Sequence, residues 1–167
     1  ELADLSIPTL CVINGNVFGG GCELAMSCDF RLASQDIIMR VPASAIGLCY
    51  PIEGIERFVS RLGVSVAKRI LVAAEEFSAE QMLEFGIVSR LISSDSLIKE
   101  SNLTAKMLAQ RAPLAVAAML KVIRQAERGR INYQEARDLA AICSDSDDLK
   151  EGLLAQKERR PAVFKGC

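Results

Sequence analysis

Hydrophobic positions change rhythm partway along this chain. Up to residue 95 they come in short runs broken by glycine, proline and charge; from residue 96 they recur at helical spacing. Leu10-Cys11-Val12-Ile13, within residues 9–14, is short, apolar and partly β-branched, which predicts a buried strand. Three glycines follow in Phe18-Gly19-Gly20-Gly21-Cys22-Glu23. Leu24-Ala25-Met26-Ser27-Cys28 then reads as a helix ending near Cys28-Asp29. Phe30–Ala33 and Ile37–Val41 predict two more strands, the later one ended by Pro42. Residues 42–54 read as irregular, punctuated by Pro42, Gly47, Pro51 and Gly54. A helix over Ile55–Leu62 closes at Gly63, and Ser65 can cap another over Val66–Ala74. Ser78-Ala79-Glu80-Gln81 has a capping-box pattern, predicting a short helix that stops at Gly86. Ile87–Ile92 predicts a last strand.

Beyond it the pattern predicts helices over Leu97–Arg111, Pro113 to Gly129, Tyr133–Ala141 and Asp148–Arg159. Val116, Met119, Leu120 and Ile123 fall at i, i+3, i+4 and i+7, one apolar face. The plan is α/β: a mixed core over residues 1–95 and a helical region over 96–167.

Composition narrows the function. The chain has 167 residues, half of them hydrophobic, enough for a real core. A net charge of −1 leaves no basic footprint for nucleic acid. No apolar run is long enough to span a bilayer and no signal peptide is visible. Six cysteines with no C-x-x-C pair predict buried, reduced thiols in a cytoplasmic protein, with mitochondrial or peroxisomal location left open. Histidine is absent, which excludes Ser-His and Cys-His catalysis within these residues and removes the commonest metal ligand. No metal is expected. Acid–base chemistry falls to carboxylates, Lys, Tyr or Cys. The chain opens on Glu1 and reaches its first strand at once, which predicts an N-terminally shortened piece.

Glycines between a strand and a helix let the backbone approach another group closely. The N–H groups at a helix start point outward and carry partial positive charge. Glu23 lies in that first turn. Together they suit a site that holds a developing oxyanion and moves a proton beside it. Taken alone, the glycines read as a tightly packed loop and Glu23 as an acid complementing the helix dipole.

Further residues change that balance. Pro8 with Val12-Ile13-Asn14-Gly15, Phe18 to Ala25, Cys28-Asp29, Ile46-Gly47-Leu48, Gly63, Ala67-Lys68, Leu71, Ser78 to Gln81 and Gly86-Ile87-Val88 occur in order. Ser146 to Gly152 and Glu158 to Gly166 complete the series. In order and spacing the chain resembles the enoyl-CoA hydratase/isomerase (crotonase) superfamily, without that family's N-terminal part. The resemblance implies the C-terminal part of a ClpP/crotonase-like ββα spiral, followed by a helical trimerisation region. It implies an acyl-CoA thioester as substrate and a homotrimer or dimer of trimers as assembly. No cofactor is expected beyond the coenzyme A of the substrate.

The resemblance also assigns roles. Gly20 N–H would be one donor of an oxyanion hole, the other coming from residues before Glu1. Glu23 would be the catalytic carboxylate, and a side chain at Gly20 should block approach. Gly19, Gly20, Pro42, Ala43 and Leu48 would contact the substrate; Arg159 would reach its CoA phosphates or adenine in a neighbouring subunit. Two positions depart from the pattern. Ala43 stands where hydratases of the family carry a second glutamate, and Tyr50-Pro51 replaces the usual Pro-Gly. Tyr50 reads as a packed aromatic with a phenol as a further donor; Glu53 can face the pocket, and Glu56 reads as a surface charge. Cys22 and Cys28, with no histidine to activate them, read as structural thiols.

The expected function is enoyl-CoA hydration, with isomerisation, decarboxylation, thioester hydrolysis or non-catalytic acyl-CoA binding as alternatives. These residues alone would lack half the oxyanion hole, so negligible hydratase activity is expected of them in isolation.

Overall fold

The computed structural model describes residues 2–167, which divide into two compact units. The first holds residues 2–3 and 9–103, the second residues 4–8 and 104–167. The expected division at residue 95 thus differs from the grouping by contacts, which keeps the first part of a long helix with the α/β unit.

In the first unit, β1 (Leu10–Ile13), β2 (Val17–Phe18) and α1 (Gly20–Ser27) lead to β3 (Phe30–Ser34) and β4 (Ile38–Arg40). There follow α2 (Ile52–Leu71), β5 (Glu76–Ser78), α3 (Ala79–Glu84), β6 (Arg90–Ile92) and the start of α4 (Ser94–Ala109). Two three-stranded sheets form: β1-β3-β6, all parallel, and β2-β4-β5, in which β5 runs antiparallel. Buried Met26, Phe58, Ile70, Phe77 and Met82 fill one core between these elements.

A side-chain lock closes the segment that carries α1. Asp29 Oδ2 accepts from Thr9 N and from Thr9 Oγ1, both at 2.8 Å, and Asp29 N donates back to Thr9 Oγ1 at 2.9 Å. The lock joins the residue before β1 to the residue before β3, so β1, β2 and α1 are held as one closed loop. Ser78 and Gln81 form the predicted capping box, with bonds of 2.9 and 3.3 Å.

Several boundaries differ from the pattern. β2 and β5 have two and three residues, too few to show alternation. The last strand shrinks to Arg90–Ile92, and Ile87 and Val88 are buried ahead of it. The two helices expected around Gly63 are the halves of α2, which kinks there because Gly63 takes φ 76° and ψ 164°. Burial was expected of the cysteines, yet Cys49 and Cys167 are exposed, since each lies in a non-helical segment at the surface.

The second unit contains the end of α4, α5 (Pro113–Glu127), α6 (Tyr133–Asp145) and α7 (Asp147–Glu158). Arg124 donates to the Leu5 carbonyl at 2.5 Å and Arg128 pairs with Asp4 at 2.6 Å, tying residues 4–8 to α5. Met119 and Ile123, on the expected apolar face of α5, are 57% and 61% exposed. That face is amphipathic as predicted, but none of the described residues covers these two side chains.

The tail after α7 is clasped back. Buried Asp148 accepts from Lys165 N at 2.7 Å and from Gly166 N at 2.9 Å. Glu151 pairs with Arg160, whose guanidinium, helped by the N–H of Val163, pushes the Glu151 carboxyl down to about 2. Asp148→Ala should release the tail, at a cost of about 1.5–3 kcal/mol for the charged hydrogen bonds. Limited carboxypeptidase digestion, monitored by mass, should then remove residues after Pro161 several-fold faster.

Candidate active site

α1 starts at the glycine turn for a local reason. Its N-cap, Gly19, has φ 49° and ψ −113°, a conformation that disfavours any residue with a side chain. Gly19 N donates to the Arg40 carbonyl at 3.0 Å, which fixes the turn to β4. Its carbonyl accepts from Cys22 N at 3.0 Å and from Glu23 N at 3.3 Å, closing the first turn. Among the described residues, no acceptor takes the N–H of Gly20 or Gly21, and both residues are exposed. Two outward donors at a helix start form a ready place for an anionic oxygen. A Cβ built on Gly20 meets no atom of this chain, so crowding there would have to come from what binds.

Glu23 stands three residues on. Its Oε1 forms an ion pair with Arg57 of α2, while its Oε2 is buried with no hydrogen-bond partner. The Tyr50 ring packs edge-on against Phe58, and its hydroxyl donates to the Gly19 carbonyl at 3.4 Å. Burial pushes the Tyr50 phenol up, and the neighbouring Cys22 adds to the shift. A Cβ built on Gly54 would lie 2.6 Å from Glu23 Oε2 and 2.6 Å from Tyr50 Cε1. Gly54 is therefore the close approach that lets α2 pass over the carboxylate.

α2 also grips the far end of α1. Arg61 donates to the carbonyls of Met26 and Cys28, and Arg31 donates to the Cys28 carbonyl at 2.7 Å. Cations at a helix C-terminus complement its dipole. Gly54, Arg57, Phe58 and Arg61 share one helical face, which the sequence pattern alone did not bring forward. Their spacing at i, i+3, i+4 and i+7 was the available signal.

The other expected residues fall as follows. Ala43 is buried, and its carbonyl accepts from Leu48 N at 2.9 Å across a short 3-10 turn over Ser44–Ile46. That position supplies no carboxylate. Pro42 precedes it, half-buried; Leu48 is exposed, as are Ile46 and Ile52 nearby. Glu53 and Glu56 are exposed on α2. Cys22 is buried and directs its thiol at the Val17 and Arg40 carbonyls; burial pushes it up to about 12, which makes it a poor nucleophile. Arg159 belongs to the second unit, where it ends α7 in a left-handed conformation with φ 55°. That unit also has a cavity of about 570 Å3 among α5, α6 and Asp4, whose Lys121 and Arg128 pair with Glu135 and Asp4.

Gly54→Ala should separate activity from stability. The added methyl displaces Glu23 or Tyr50, while the alanine itself favours the helix by about 1 kcal/mol. Moving Glu23, the expected base, should lower turnover at least about tenfold, with little change in melting temperature. Paired rate and thermal-melt measurements on the complete protein check this.

A family sequence model described as Enoyl-CoA hydratase/isomerase matches residues 1–167. Carnitinyl-CoA dehydratase of Salmonella arizonae is 32% identical, over 99% of this chain and 66% of that protein. 2,3-Dehydroadipyl-CoA hydratase of Escherichia coli is 28% identical, over 95% of this chain and 63% of that protein. The chain thus spans about two thirds of the length of these relatives. Among solved structures, the enoyl-CoA hydratase of Bacillus anthracis superposes with a TM-score of 0.92 at 26% identity, covering 99% of this chain and 65% of that one. An enoyl-CoA hydratase subunit of Geobacillus kaustophilus gives 0.89 at 30% identity, covering 99% and 65%.

Proposed function

Since this chain belongs to the enoyl-CoA hydratase/isomerase family, we propose that the protein it comes from adds water to a 2-enoyl-CoA. The observation that carries this reading is Glu23 in the first turn of a helix whose Gly20 N–H is exposed and unengaged. Relatives named for dehydrating or hydrating CoA thioesters support the same class.

The chemistry follows from those groups. Glu23 takes a proton from water as the water oxygen bonds to the β-carbon. The double-bond electrons move toward the thioester, and its oxygen, now an enolate, is held by Gly20 N–H. The second donor, expected from residues before Glu1, is part of this proposal. The α-carbon then takes a proton; with Ala43 at the other expected carboxylate position, the proton to return is the one on Glu23. Ile46, Leu48 and Ile52 supply exposed apolar surface for an acyl chain. Gly19, Pro42, Ala43 and Arg159 remain proposed substrate contacts.

The substrate carries its own coenzyme A, and we propose no further cofactor. We also propose a cytoplasmic homotrimer or dimer of trimers, supported by exposed Met119, Ile123, Leu149 and Leu153. Among the described residues no helix is long and apolar enough to cross a membrane.

The family description favours one second reading, isomerisation, in which a proton moves between two carbons. Product analysis decides. The complete protein with crotonyl-CoA should give 3-hydroxybutyryl-CoA; turnover of 3-enoyl-CoA alone would favour the isomerase.

A further inference from the structure

We infer that Arg57 is the positioning residue of the active site: it holds Oε1 of Glu23 and leaves Oε2 as the oxygen that takes the proton. The inference rests on the proposal that Glu23 is the base. Three observations support it. Arg57 forms an ion pair with Oε1. Oε2, beside Tyr50 and Gly54, is buried without a hydrogen-bond partner. Arg61, one turn further along α2, grips the C-terminal carbonyls of α1, so the two arginines fix α1 at both ends.

The sign of the charge beside Glu23 matters. A second carboxylate near a first one drives one of the pair to hold a proton. A guanidinium does the reverse and favours the ionised form. With Ala43 in place of an acid and Arg57 on Oε1, Oε2 is the oxygen left to accept a proton. Among the described residues, these charged and titratable groups lie near it. Arg57 comes from α2 and Tyr50 from the segment before it; Cys22 on α1 points to other carbonyls, and Arg61 is engaged at the opposite end of α1.

The test is a 13C NMR titration of the Glu23 carboxyl in the complete protein, alongside the pH profile of crotonyl-CoA hydration. The comparison is between the parent and its Arg57 variants, since burial of Oε2 and the Arg57 charge act on Glu23 in opposite senses. In Arg57→Gln the midpoint should rise by about one pH unit or more, and Arg57→Lys, which keeps the charge, should restore most of the difference. The acid limb of the rate should move with it, and turnover in Arg57→Gln should drop about 10- to 100-fold, the scale of a misplaced catalytic group. A midpoint that rises in Arg57→Lys as far as in Arg57→Gln overturns the inference, because the charge would then not be what holds Glu23. An unchanged midpoint in Arg57→Gln overturns it equally. If the parent does not hydrate crotonyl-CoA, the hydratase reading fails, while the titration still decides whether Arg57 controls Glu23.

Discussion

Glu23→Gln should lower the hydration rate of the complete protein by about 10²–10⁴-fold, the range supplied by a positioned acid–base group. The amide has the carboxylate's shape but cannot take a proton from water. Michaelis constants should change little, because the thioester oxygen is held by a backbone N–H rather than by this side chain. The helix should also survive: Glu23 helps its N-terminus through the dipole, a contribution of about 0.3–1 kcal/mol at most exposed sites. A rate within tenfold of the parent would remove Glu23 from the catalytic role.

Gly20→Pro addresses the other half of the device. Proline is tolerated at the first position of a helix, where its missing N–H has no intrahelical acceptor. Gly20 occupies that position in α1. The substitution therefore deletes the proposed oxyanion donor while leaving the helix start in place. Losing one such donor typically lowers turnover by about 10²–10³-fold, or roughly 3–4 kcal/mol. Gly20→Ala is the control. It keeps the N–H, and its Cβ meets no atom of this chain within 4 Å. Activity lost in proline but retained in alanine points to the donor; equal loss in both points to crowding of the bound thioester. Steady-state kinetics with crotonyl-CoA, with circular dichroism to check the helix, reads both variants.

Much of this was legible from residue order. The β1-glycine-α1 passage is visible because apolar run, glycines and acidic first turn each have a local physical cause. Ser78 and Gln81 announced their capping box for the same reason: all its partners lie within four residues. What escaped depends on contacts distant in sequence. β2 and β5 exist because β4 offers them pairing partners, not because of their own two or three residues. Arg57 gained its significance only when α2 was laid across α1 and its guanidinium met Glu23. Gly54 read as a loop glycine, although it lies in the first turn of α2 at the point where a side chain would collide with the carboxylate. The face of α5 shows the converse: its periodicity was correct, but a pattern says which side is apolar and not what covers it. Ala43 was visible from the start as a departure; only the charge opposite Glu23 gives that departure a chemical meaning.

The most direct measurement is the product formed when the complete protein meets crotonyl-CoA. Loss of the enoyl absorbance with matching appearance of 3-hydroxybutyryl-CoA, abolished in Glu23→Gln, is the predicted result. Crotonyl-CoA bound but unchanged, or hydrated equally well by Glu23→Gln, would contradict a hydratase built on Gly20 and Glu23.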